Sequence, residues 1–284
     1  MKISHVMRAE EWLPSTPRHL QLFKALGFEP PQFAHLSMIM GPDRAKLSKR
    51  HGATAIGEYK EAGCLPDALL NFMVLLGWSL DDKTDVVPIQ TVIDNFTLDR
   101  ITKSSAIFDQ DKLQWMNGMY IRGLSSMELA DEMIPFLERD FPQDMLPVDE
   151  AYLRKIAPLI QERMKSLDES ADSTSYFFRA NEEFDPQALV QKGMDRESTL
   201  SALTAALSDL DGTDDYAPAN LEHMFTSTGK KLELSRRQLF GVLRVAVTGR
   251  SVSPPLFEMM EVMGKRRMVN RVKNALERLS VAEE

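Results

Sequence analysis

Apolar residues are spaced one way at the front of the chain and another way along the rest of it. Lys2-Ile3-Ser4-His5-Val6-Met7 predicts a short strand from its β-branched and apolar content, and His35-Leu36-Ser37-Met38-Ile39-Met40 predicts a second. Between them Arg8-Ala9-Glu10-Glu11-Trp12 reads as a polar turn. Thr16-Pro17 reads as a helix start, a hydroxyl cap with proline in the first turn, and Leu20, Leu22, Phe23 and Leu26 carry that helix to Gly27. From about Glu58 the period turns helical. Leu69, Phe72, Met73 and Leu76 mark one buried face, opened by Pro66 and closed by Gly77. Asp81-Asp82-Lys83 is a turn, Ile89 to Phe96 a second amphipathic helix, and Phe108-Asp109 introduces Lys112 to Met116. Trp115 and Asn117 could face a nucleic acid, but the sequence favours a core position for the tryptophan.

Beyond Gly118 almost everything is helical. Met127 to Leu137, Ala151 to Leu167, Glu197 to Leu207, Leu221 to Thr226, Arg236 to Val247, Leu256 to Met263 and Arg267 to Leu279 all repeat apolar residues at the helical period. No long alternating run predicts a β-barrel. The acidic, serine-rich Asp168 to Ser175 stretch is the candidate boundary between two helical subdomains, and Asp209 to Asn220 reads as an internal loop of the second.

Composition adds bounds. The chain has 284 residues, 43% hydrophobic and 27% charged, enough for two or three cored domains. Its longest apolar stretch, Ala68 to Leu76, is broken by Asn71 and too short to span a bilayer; with no signal or transit peptide, a cytoplasmic protein away from membranes is expected. A lone cysteine, Cys64, excludes an intramolecular disulfide and a cysteine-cluster zinc site, and its place before the apolar helix favours packing over reactivity. Histidines 5, 19, 35, 51 and 223 lack the spacing of a helical metal pair, so no structural metal is expected. The net charge of -8 argues against a nucleic-acid partner until its distribution is considered. Lys230, Lys231, Arg236, Arg237, Arg244 and Arg250 share their span with Glu233 alone, and Lys265, Arg266, Arg267, Arg271, Lys273 and Arg278 follow. A polyanion could meet a basic face there, with binding that weakens as salt rises.

The second strand delivers the chain to Lys46-Leu47-Ser48-Lys49-Arg50, which lies between the Gly41-Pro42-Asp43 turn and His51-Gly52. Two lysines three apart on a glycine-hinged loop suit a phosphate chain, because cations aimed at leaving oxygens matter most in the transition state. Open nucleotide-binding sheets place such loops at the carboxyl ends of their strands.

With Leu65-Pro66-Asp67-Ala68-Leu69-Leu70-Asn71-Phe72-Met73-Val74-Leu75-Leu76-Gly77-Trp78-Ser79, this loop resembles the bacterial-type glutamyl-tRNA synthetases, class I enzymes whose second signature is a KMSKS-type loop. Further blocks are similar in the same order: His5 to Trp12, Ser15 to Arg18, Leu113 to Gly118 and Leu243 to Gly249. The implied fold is mainly α: part of an α/β, Rossmann-like catalytic domain with the lysine loop at 1-57, a stem-contact domain at 58-117, and helical anticodon-binding subdomains at 118-175 and 176-284. By the same resemblance Arg8 and Trp12 hold glutamate, since a guanidinium fork grips a carboxylate in two places. Met38 and Ile39 face the adenine of ATP, and Lys46, Ser48 and Lys49 contact ATP, the two lysines being catalytic. Arg163 monitors the third anticodon base, with Arg244 and Leu256 near the others. Residue chemistry alone leaves alternatives: an ion pair of Arg8 with Glu10 or Glu11, one of Arg163 with Glu162 or Asp168, and core packing for Leu256. ATP and Mg2+ are expected together as substrate, with glutamate and its tRNA as the other partners, no structural zinc, and a monomer.

The family's first signature, an HIGH-type block, finds no match, because His51-Gly52 follows the lysine loop instead of preceding it. The chain is therefore expected to be a carboxyl-terminal part that does not activate glutamate alone. Three readings stay open: the lysine-loop and tRNA-binding part of a glutamate-tRNA ligase, whose other half could act in trans; a free-standing non-catalytic tRNA-binding module; or an all-helical scaffold for protein partners, which explains the helices but not the ordered lysine-loop blocks.

Overall fold

The computed structural model describes residues 2-48, 55-180 and 182-281, so Lys49, Arg50, His51 and Gly52 lie outside the described residues. The chain forms two compact units. One comprises Met1–Gly123 with Lys165–Asp168, the other Leu124–Met164 with Glu169–Glu284.

In the first unit, β1 (His5–Ala9) and β2 (Gln32–Leu36) pair in parallel with Arg8 opposite His35. Both strands are displaced from the expected Lys2 to Met7 and His35 to Met40, because pairing, not composition, sets their ends. Met40 instead bridges Lys46 and Ile107. A 3₁₀ helix, Glu10–Ser15, replaces the expected polar turn and leads into α1 (Thr16–Leu26), which ends at Gly27 with φ 71°. Thr16 is not the cap. Ser15 holds that position, and the Thr16 hydroxyl donates to Trp12 O at 3.2 Å.

The rest of this unit is helical: α2 (Ile56–Glu61), α3 (Pro66–Leu75), α4 (Ile89–Asn95) and α5 (Gln110–Gly123). Phe72, Phe108, Leu113 and Met116 form its core, against which Ile39, Leu47, Tyr59 and Cys64 pack. Asn71, the break in the apolar stretch, is buried and accepts from Val87 N at 2.8 Å and Tyr120 OH at 3.0 Å, fixing the following loop. Burial pushes the Cys64 thiol up to about 11, so it stays protonated at neutral pH and packs as an apolar group.

Trp115 and Asn117 exchange the roles expected of them. Trp115 is 43% exposed, whereas Asn117 is 2% exposed. The Asn117 carboxamide accepts from Leu65 N at 2.8 Å and donates to Gly63 O at 3.1 Å and Lys165 O at 2.8 Å. Leu167 N donates to Gly63 O at 3.0 Å, and the Ser166 hydroxyl to Ala62 O at 2.7 Å. These bonds fasten Lys165–Asp168 into the first unit.

The second unit holds α6 (Ser126–Asp140), α7 (Glu150–Ile160), α8 (Ser170–Phe178), α9 (Arg196–Gly212), α10 (Pro218–Lys231), α11 (Arg236–Thr248) and α12 (Leu256–Val281), the last broken by non-helical Gly264. Ser125, Asp149, Asp195 and Ser235 each accept a backbone N–H in the first turn of the helix that follows. Gly249, at φ 69°, closes α11. The helix expected to reach Leu167 stops at Ile160. The serine-rich Asp168 to Ser175 stretch is largely α8, with Ser170, Thr174 and Ser175 buried; Thr174 donates to Ser170 O at 2.7 Å, so its hydroxyl needs no solvent. Only residues 213-217 of the expected Asp209 to Asn220 loop lie between helices.

Candidate functional site

In the first unit the 3₁₀ turn after β1 touches three of the predicted parts. Glu11 pairs with Lys46 Nζ at 2.8 Å, Glu10 accepts from Met38 N at 3.4 Å, and the Trp12 ring lies 5.8 Å from the Arg8 guanidinium. The ion pair of Arg8 with Glu10 or Glu11 is not formed. Arg8 instead donates from Nε to His35 Nε2 at 3.1 Å and from Nη2 to Thr16 Oγ1 at 2.8 Å, and its Nη1 lies 3.1 Å from His19 Nδ1. Phe33 adds an aromatic face 5.1 Å away. Among the described residues no carboxylate bonds Arg8, so its charge is available to an anionic ligand.

The base of the lysine loop is a tight hairpin. Gly41 N donates to Ala45 O at 2.7 Å and Leu47 N to Ile39 O at 3.0 Å, with Asp43 accepting from Ala45 N at 2.9 Å. Phe108 N donates to Met40 O at 2.8 Å. Leu47 anchors the loop in the core while the Lys46 side chain stays 62% exposed. Ile39 packs beneath, Ser48 is half-buried, and Lys49 lies outside the described residues.

A second constellation lies in the second unit. Arg163 Nη1 donates to Ser253 O at 2.7 Å, and Arg244 Nη1 donates to the same oxygen at 3.1 Å and to Pro254 O at 2.9 Å, as well as to the Ser253 hydroxyl. With Tyr176, Arg250 and Ser173, Arg163 lines a cavity of about 130 Å3. Arg250 is neutralised, its fork bonding both Asp172 oxygens at 3.0 and 2.6 Å, and this pairing holds the Asp172 carboxyl below the usual range. Neither Arg163 nor Arg244 bonds a carboxylate among the described residues. Burial first, and then the Arg163 charge, lower the Arg244 pKa. Two cations sharing one neutral carbonyl leave positive potential for an electron-rich group. Arg163 therefore makes neither expected ion pair. Leu256, 4% exposed, is core at the start of α12.

Not all the basic run is surface. Arg271, 2% exposed, donates to Arg179 O at 2.7 Å and to Tyr176 O and Val247 O, satisfying carbonyls at the ends of α8 and α11. Burial lowers its pKa to about 10. Arg267 bonds Tyr152 OH at 2.7 Å and Phe177 O, while Lys265 pairs with Asp214 at 2.8 Å. Lys230, Lys231, Arg237, Arg266 and Lys273 remain exposed. Arg267 and Arg271 thus leave the expected basic face, because helix-end carbonyls compete successfully for guanidinium donors.

Among the described residues, no cluster of three or more His, Cys, Asp or Glu could hold a metal, and no helix is long and apolar enough to cross a membrane.

Residues 1-115 match the family of class I tRNA synthetases (E and Q), catalytic domain, and residues 128-276 match the anticodon binding domain. These define a class I synthetase chain with a helical anticodon domain. The chain is 50% identical over 283 residues to a glutamate-tRNA ligase of Dehalococcoides mccartyi, covering 99% of this chain and 58% of that protein. A Roseiflexus castenholzii glutamate-tRNA ligase is 43% identical over 99% of this chain and 56% of its own length. A crystal structure of a glutamate tRNA ligase from Elizabethkingia meningosepticum in complex with its amino acid superposes with TM-score 0.86 at 29% identity, covering 98% of this chain and 58% of that one. The chain belongs to the glutamate-tRNA ligase family. It spans a little over half the length of these relatives.

Proposed function

We propose that this chain supplies the ATP-loop and tRNA-binding part of a glutamate-tRNA ligase, an enzyme that activates glutamate with ATP and Mg2+ and transfers it to the terminal adenosine of its tRNA. Arg8, freed of acidic partners and flanked by Trp12, takes a substrate carboxylate. Met38 and Ile39 present backbone to adenine, Ser48 supports the loop, and Lys46 with Lys49 stabilises charge on the phosphates as the anhydride breaks. Residues 1-57 act as catalytic-domain part, 58-117 contact the tRNA stem, and the helical regions 118-175 and 176-284 bind the anticodon. Large apolar residues of the strand and helix segment at the front of the first unit, among them Met7, Leu13, Leu22, Leu26 and Phe28, are exposed. Such residues suit cover by another part of the same ligase. The setting is the cytoplasm and the chain works as a monomer.

The observation that carries the anticodon assignment is the convergence of Arg163 and Arg244 on Ser253 O, at 2.7 and 3.1 Å, with no carboxylate between them. A guanidinium fixed in this way can read a base edge or a phosphate, while Leu256 holds the neighbouring backbone in place. Replacing Arg163 by glutamine is expected to narrow the preference for glutamate tRNA over glutamine tRNA by about tenfold, the worth of one charge-assisted hydrogen bond. Competition binding between the two tRNAs measures this. Unchanged discrimination in the variant would remove the assignment.

A further inference from the structure

A guanidinium has five N–H donors, and three of those on Arg8 are directed within the first unit toward His35 Nε2, His19 Nδ1 and Thr16 Oγ1, at 3.1, 3.1 and 2.8 Å. Guanidinium cannot accept, so each imidazole nitrogen that meets it must offer a lone pair. Both rings are therefore neutral, His35 with its proton on Nδ1 and His19 with its proton on Nε2. Thr16 Oγ1 lies 3.2 Å from Trp12 O and 3.1 Å from His35 Nε2. Arg8 Nε–H occupies the one Nε2 lone pair, so the Thr16 proton goes to Trp12 O and the hydroxyl oxygen accepts from Arg8. None of these partners is anionic. The other ionisable groups on the packed elements act elsewhere: Glu10 on Met38 N, Glu11 on Lys46 and His5 on Ser4, while Arg18 and Lys24 of α1 make no bond to the cluster. Arg8 is thus held firmly by neutral acceptors, with its charge unmatched and two N–H groups left over.

We propose that neutral His35 and His19, with Thr16, are positioning residues that fix the Arg8 guanidinium so that its two remaining N–H groups meet a ligand carboxylate. This rests on the reading of Arg8 as the glutamate-binding residue. Protonating either ring would set N–H against N–H and turn the fork away. Carboxylate capture should then be weaker at about pH 5 than at about pH 8, because a protonated imidazole cannot accept from the guanidinium.

The test uses the 284-residue chain labelled with 15N at arginine and histidine, with L-glutamate as the probe. In the native chain the Arg8 Nε–H should exchange with water about tenfold faster at the lower pH than at the higher, beyond the intrinsic pH effect seen at an exposed arginine. His35→Gln, whose amide oxygen accepts at any pH, should abolish that excess, and His35→Leu should give fast exchange throughout. Exchange in His35→Leu as slow as in the native chain would overturn the positioning role, as would an undiminished pH effect in His35→Gln. Arg8 signals that move with L-glutamate only at the higher pH would support the whole proposal. Signals that follow pH and substitution as expected yet ignore L-glutamate would overturn the carboxylate role of Arg8 and leave the histidine roles standing.

Discussion

Replacing Lys46 by alanine is expected to lower adenylate formation by roughly 10²- to 10³-fold, about 3–4 kcal/mol, with tRNA affinity nearly unchanged. A cation aimed at the leaving phosphate oxygens acts mainly in the transition state, so its loss should appear in kcat before KM. The geometry suits that role: Leu47 ties the loop base to the core, while the Lys46 side chain is 62% exposed and, among the described residues, its ammonium is held at 2.8 Å by the exposed Glu11 carboxylate alone. An exposed pair of this kind is weak enough for phosphate to displace. Lys49→Ala should have an effect of similar size. ATP-pyrophosphate exchange in the full ligase, with glutamate and tRNA present, measures both variants; exchange that survives unchanged would remove the lysines from the mechanism.

The largest effect on stability is expected at Gly63. Its φ is 74°, and a Cβ there would lie 2.4 Å from Asp168 N and 2.5 Å from Leu167 N, both of them backbone atoms. That backbone cannot yield cheaply, because Gly63 O accepts from Leu167 N at 3.0 Å and from Asn117 at 3.1 Å. Left-handed backbone alone costs about 1–2 kcal/mol for alanine, and displacing the bonded segment should raise the total to about 3–5 kcal/mol. Thermal unfolding of Gly63→Ala should show a transition lowered by on the order of 10 °C. A loss of less than about 2 °C would show that the Lys165–Asp168 segment moves aside freely.

Much of this was legible in the sequence, and the failures have physical causes. Gly41-Pro42-Asp43 announced the hairpin under the lysine loop, and the helical period of α3 gave the buried face containing Phe72. The exchange of Trp115 and Asn117 could have been foreseen. Leu113, Met116, Asn117 and Ile121 share the buried face of α5, while Trp115 and Met119 are exposed. There the helical period, and not residue type, decides which side chain is buried. The arginines near the end of the chain were harder to place, since no local pattern tells a solvated guanidinium from one that caps two helix ends, as Arg271 does. The acceptors around Arg8 come from β2 and α1, so only the fold could bring His35 and His19 to it. Likewise, the approach of Arg163 to Arg244 spans dozens of residues and had no signal in spacing.

The most direct measurement is an equilibrium titration of this chain with glutamate tRNA, repeated across salt concentrations with a tRNA for an unrelated amino acid as competitor. We expect saturable binding that prefers glutamate tRNA and weakens on the order of tenfold or more between about 50 and 200 mM salt. Binding that is indifferent both to salt and to the identity of the tRNA, or no binding at all, would contradict the tRNA-binding role from which the rest follows.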